Sequence, residues 1–223
     1  MEDYESAIEI IRTEVKDELS EVRKEFLDNF GEETERFIEL MANAFLRWSE
    51  LDSLAGQDER KANVSGLVFS AITQNIISVR LFLSGYIVAA GNTQRQVLET
   101  IALALLCSCK QLDILEGFMQ DKYSTNNAVR DALRHKDKLN VKNGALEVLR
   151  DSRVFYHMYS HPTRATLASH IRFSDQGGAL YVGASFDEGK LEQYKKEVDG
   201  RVSLAEVLEN FVQGVINNVS SWD

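Results

Sequence analysis

The side chains able to exchange protons near neutral pH are few in this chain: four His among 223 residues, with 14 Arg to supply positive charge. Three of the histidines follow an Arg at short range. Arg150–Asp151 precedes His157 with six residues between Arg and His, Arg130–Asp131 precedes His135 with four, and Arg164 precedes His170 with five. An imidazole can take or give a proton and a guanidinium can steady the charge that grows on a phosphate, so such pairs suit phosphodiester chemistry. Chance alone supplies about 0.75 such spacing in a chain of this composition, so geometry has to decide between them. Arg150 and His157 stand out, because positions i and i+7 share one face of a helix. Arg153 and His161 extend that face. The stripe reads either as the solvated side of an amphipathic helix or as a catalytic edge.

A second constellation lies in Asn92–Lys110. After Val97 this stretch is apolar on every side of a helix except at Glu99 and Thr100, which places it in the middle of a bundle. A buried Glu needs a partner. Arg95 sits one turn earlier, and Ser160 and His161 of the segment Tyr159–Thr163 (YSHPT) are further candidates. Arg95, Glu99, Ser160 and His161 then form either a polar network that fixes helix register or a site around His161.

These positions require helices to hold them. A single Pro, with Ala, Leu, Glu, Lys and Arg abundant, predicts a mainly α fold. The spacing Ile8, Ile11, Val15, Leu19, Val22, Phe26, Phe30 predicts one long amphipathic helix over 4–30, broken at Gly31. A second helix runs to about Leu54, and Ala55–Ser65 reads as a loop. A third covers about Gly66–Ala90 and closes at Gly91, and a fourth starts from an Asn92 cap and runs to Lys122. A basic helix follows over about Ala128–Leu139, and a sixth, Ala145–Tyr159, ends before Pro162. From Leu167 to Phe186 the chain alternates around Gly177–Gly178, which predicts a β-hairpin pairing Phe173 with Val182 and Ile171 with Ala184. A polar helix near Glu188–Val198 and a last one, Leu204–Val219, complete an architecture of an acidic N-terminal helical pair, 1–59, packed on a helical bundle, 60–223.

Charge and composition narrow the function. The formal net charge is −10, and residues 1–59 hold 18 Asp/Glu against 6 Lys/Arg. That imbalance argues against a dedicated nucleic-acid binder while leaving room for a local basic patch at Lys122–Lys142. There is no phosphate-binding glycine loop, nucleophile elbow, HExxH or paired-cysteine zinc arrangement, so no metal and no cofactor are expected. The acidic start, the two isolated cysteines and the polar interruptions Gln74, Asn75 and Arg80 predict a cytoplasmic protein without a membrane span.

The order of elements, with RQVLE at 95–99, YSHPT at 159–163, a Gly-Gly hairpin and a closing helix, resembles a bacterial group of helical domains related to the HEPN superfamily. The resemblance covers about 66–219. It implies a HEPN-like bundle in a defence, toxin–antitoxin or stress system, often dimeric, acting either as a metal-independent ribonuclease on RNA or as a non-catalytic interaction or dimerisation module. Arg150 and His157 match that family's Arg-to-His motif, with Asp151 where Asn is familiar. A homodimer or a protein partner held through the N-terminal helices, along the Ile8–Phe30 seam, is the association expected.

Overall fold

A computed structural model describes residues 4–16, 18–174, 177–181 and 183–222. The chain is mainly α. Its helices are α1 Tyr4–Lys16, α2 Ser20–Ala55, α3 Glu59–Leu83, α4 Ile87–Ser108, α5 Ile114–Met119, α6 Ala128–Arg134, α7 Asn143–Tyr156, α8 Arg164–Ser169 and α9 Leu191–Ser220. Single 3₁₀ turns link several of them, including His157–Tyr159 directly after α7.

Helix α4 is the central strut. Every residue from Ile101 to Cys109 is buried, as an apolar run without a polar face must be. Antiparallel to it lies α3, while α2 packs along α9 and α3, so the acidic second helix is part of the bundle. Phe26 of α2, Phe82 of α3, Tyr194 of α9 and Phe186 meet with ring centroids 4.9–6.3 Å apart. Such tilted and edge-on pairs add to the area they bury. The far end of α4 is closed by Asn218, whose Nδ2 donates to Ser108 Oγ at 2.9 Å and to Leu139 O at 3.2 Å. Trp222 Nε1 donates to Ser108 O at 2.8 Å, satisfying a carbonyl the helix leaves open.

Several boundaries differ from the sequence expectation, each for a local reason. The first apolar seam is split between two helices: Leu19 adopts a left-handed backbone, φ 53°, between α1 and α2. Phe26 and Phe30 then enter the core, whereas Ile11 and Val15 stay exposed. Gly31 does not end a helix; α2 passes through it with a kink at Phe30, φ −132°. The loop expected over Ala55–Ser65 shrinks to 56–58, because the Asp58 carboxylate accepts from the N–H groups of Arg60 and Lys61 at 2.9 and 3.2 Å and starts α3 early. The turn between α3 and α4 falls at Gly85, φ 78°, a backbone region in which glycine is at ease. Gly91 is inside α4, so Asn92 caps nothing. Helix α4 stops at Ser108 well short of Lys122.

The expected hairpin is not found in its predicted form. A short antiparallel ladder joins β1 Ile171–Ser174 to β2 Gly177–Leu180 in the register Ile171 with Leu180 and Phe173 with Gly178. Gly177 and Gly178 lie in a strand instead of the turn, and Val182 lies outside the described residues. The two helices expected at the end are one, α9, of 30 residues.

Candidate functional site

The polar centre of the molecule is on α9. Glu197 and Arg201, one helical turn apart, are both 0% exposed. Arg201 Nη1 donates to Glu197 Oε2 at 2.6 Å and to Glu197 O at 2.8 Å, and its Nε donates to Ser78 Oγ at 3.1 Å. Ser78 passes the chain on to Ala90 O at 2.9 Å, linking α9 through α3 to α4. Tyr159 OH donates to Glu197 Oε1, and Gln193 Nε2 donates to both at 3.3 Å. The faces of Phe82 and Tyr156 lie 5.0 and 5.4 Å from the guanidinium carbon, an arrangement that favours a cation. Burial pushes the Arg201 guanidinium down, but Tyr156 and the Glu197 carboxylate more than offset it and hold it charged. Burial and the neighbouring Glu197 push the Tyr159 phenol up, so it stays a donor. Among the described residues Arg201 Nη2 has no hydrogen-bond partner.

Glu197 and Arg201 escaped the sequence reading because EQYKKEVDGR resembles an exposed turn of helix. A signal was present. Tyr194, Val198, Arg201, Ala205, Leu208, Val212, Val215 and Val219 recur at spacings of 3 and 4, and all are buried. Arg201 occupies a core position in that stripe, visible only if the helix is read through Gly200.

The network expected around Glu99 does not form. Arg95 Nε and Glu99 Oε1 are paired at 3.0 Å with side chains 24% and 17% exposed, a half-buried surface pair. Ser160 instead donates to His157 O at 2.8 Å, and His161 is exposed. What docks on α4 is Tyr159, whose ring packs so closely on Gly91 that a Cβ there would overlap it. In YSHPT the Tyr therefore faces inward to Glu197, while Thr163 caps α8, which starts at Arg164. Thr163 Oγ1 accepts from Thr166 N at 3.2 Å and Thr166 Oγ1 accepts from Thr163 N at 2.7 Å, a reciprocal cap.

The remaining candidates lie on the outside. His157, in the turn after α7, and His161 are both exposed, with ring centroids 5.4 Å apart at an interplanar angle of 80°. Ser160 Oγ lies 3.5 Å from His157 Nδ1. Arg153 is exposed on the same side. Arg150 is exposed but engaged, its Nε donating to Asp151 Oδ1 at 2.8 Å, and that bond holds the Asp151 carboxyl below its ordinary range. His161 also lines an open groove of about 740 Å³ with Arg164 of α8, His170 just after that helix and Val88 of α4. By contrast, the Arg130–Asp131 pair is joined by Tyr123 OH at 3.1 Å and His135 is half-buried. Arg164 and His170 thus border the groove that His161 lines, and His157 stands beside His161. Among the described residues no cluster of three His, Cys, Asp or Glu could hold a metal ion. Cys107 is buried, with its thiol pushed up to about 12 by that burial, and so is no nucleophile.

Comparison with protein-family models, with curated proteins and with solved structures finds no match to this chain. The architecture defines a mainly α bundle with a buried charged node and an exposed histidine edge.

Proposed function

We propose that the protein is a HEPN-like component of a bacterial defence, toxin–antitoxin or stress system that cleaves RNA without metal. The observation that carries this reading is the pair His157 and His161, two exposed imidazoles side by side, with the long 3.5 Å approach of Ser160 Oγ to His157 Nδ1 beside them. RNA supplies its own nucleophile. One imidazole takes the proton from the 2′-hydroxyl as that oxygen bonds to the adjacent phosphorus. The other gives a proton to the departing 5′-oxygen, leaving a cyclic phosphate and a free hydroxyl. Arg150 would steady the charge on phosphorus after exchanging Asp151 for phosphate. Arg153 and Arg164 flank the path of the backbone.

The test is cleavage of single-stranded RNA in EDTA. Wild type should cleave, and His157→Ala should lower the rate by about 10²-fold or more with unchanged helical signal. Undiminished cleavage by His157→Ala would remove this assignment. A second reading, an interaction module without catalysis, draws on one observation: all 13 residues of α1 keep contact with solvent, and Ile11 and Val15 are 59% and 77% exposed. Wild-type protein inert toward RNA would favour it.

A further inference from the structure

From its first turn to Arg80, α3 carries an exposed stripe at spacings of 3 and 4: Glu59, Ala62, Gly66, Phe69, Thr73, Ile76 and Arg80. Residues 62–79 hold no charge at all. Phe69 and Ile76 are 43% and 49% exposed in the free chain. Trp48 and Phe45 of α2 continue the row, with ring centroids 4.7 Å from Phe69 to Trp48 and 5.2 Å from Trp48 to Phe45. Gly66 is the unexplained member. It sits inside a helix, where glycine is unfavourable, and a Cβ there would meet nothing within 4 Å. Nothing among the described residues requires it to lack a side chain.

The stripe is complementary to itself. Laid antiparallel on its own copy with the two-fold beside Ala71, α3 sets Ile76 over the partner copy's glycine at 66, Phe69 over threonine at 73 and Arg80 over alanine at 62. Each large residue meets a small one. One turn beyond, Arg80 comes within reach of the opposite copy's glutamate at 59, so the two ends carry opposite charge. A parallel arrangement would instead stack Phe69 on itself, leave glycine against glycine and bring the two Arg80 together. The stripe is about 32 Å long, and the aromatic row on α2 widens it.

We infer that two copies of this chain associate through an antiparallel α3–α3 contact centred between Phe69 and Thr73. The inference stands independently of the RNA reading. It moves the interface away from the Ile8–Phe30 seam, whose α2 half is spent on the chain's own core.

Light scattering and sedimentation on the full chain test it. Wild type should be a dimer, and Gly66→Glu should raise the dissociation constant by about tenfold or more with an unchanged helical signal. Arg80→Glu should weaken the dimer, and Glu59→Arg in the same chain should restore it. Mixed Gly66→Cys and Ile76→Cys chains should cross-link to each other, whereas Gly66→Cys alone should not. A wild type that stays monomeric at every concentration, in solution or on lipid vesicles, overturns the inference. So does a dimer that survives Gly66→Glu, or a Gly66→Cys self-cross-link.

Discussion

Glu197→Ala should lower the unfolding free energy by about 3–5 kcal/mol. Removing the carboxylate leaves the guanidinium of Arg201 fully buried, with Ser78 Oγ, the Glu197 carbonyl, the Tyr156 hydroxyl at 3.4 Å and two aromatic faces around it. It also strips Tyr159 OH of its acceptor. The loss therefore combines an uncompensated charge with an orphaned hydroxyl, and it reaches α3, α4 and the turn after α7 at once. Urea denaturation measures it. Replacing both partners, Glu197→Leu with Arg201→Met, should recover most of the loss, because an apolar pair of similar volume carries no desolvation penalty. In the same experiment Glu99→Ala should cost only about 0.5–1 kcal/mol, since Arg95 and Glu99 both retain water. Equal losses at Glu99 and Glu197 would contradict the assignment of the node to α9.

Gly91→Ala should cost about 1–3 kcal/mol although it improves helix propensity. The added methyl would overlap the Tyr159 ring, and that ring cannot swing away: it is buried, and its hydroxyl is tied to Glu197. Relief has to come from moving the turn at His157–Tyr159 off α4, which loosens the node as well. Gly31→Ala is the control. Nothing lies within 4 Å of a Cβ there, so the same change should stabilise by about 0.5–1 kcal/mol. A Gly91→Ala protein as stable as Gly31→Ala would mean that the ring does not pack as described.

Which features could be read from residues alone follows from what each depends on. The central position of α4 was legible because nine consecutive buried residues, Ile101–Cys109, carry almost no polar group. Mainly α structure was legible from the scarcity of Pro. Glycine is a poor guide to the helix ends of this chain. Gly31 and Gly91 are helical, Gly91 being small so that a tyrosine can approach, and Gly177–Gly178 pair in a strand. The position of the buried charge is hidden for a related reason. Arg95–Glu99 sits beside an apolar run, whereas Glu197–Arg201 sits in a lysine-rich stretch whose burial depends on α3 and α7 closing over it. Local composition cannot report that. The exposure of His157 and His161 likewise depends on Tyr159 alone of its segment turning inward.

The division of labour between a structural node and a free histidine edge is tested most directly by the unfolding free energy of the His157→Ala/His161→Ala double variant. If the two exposed imidazoles contribute nothing to the fold and are available for chemistry, it should match wild type within about 0.5 kcal/mol. A loss of several kcal/mol, comparable to that of Glu197→Ala, would make them part of the scaffold and contradict the functional reading.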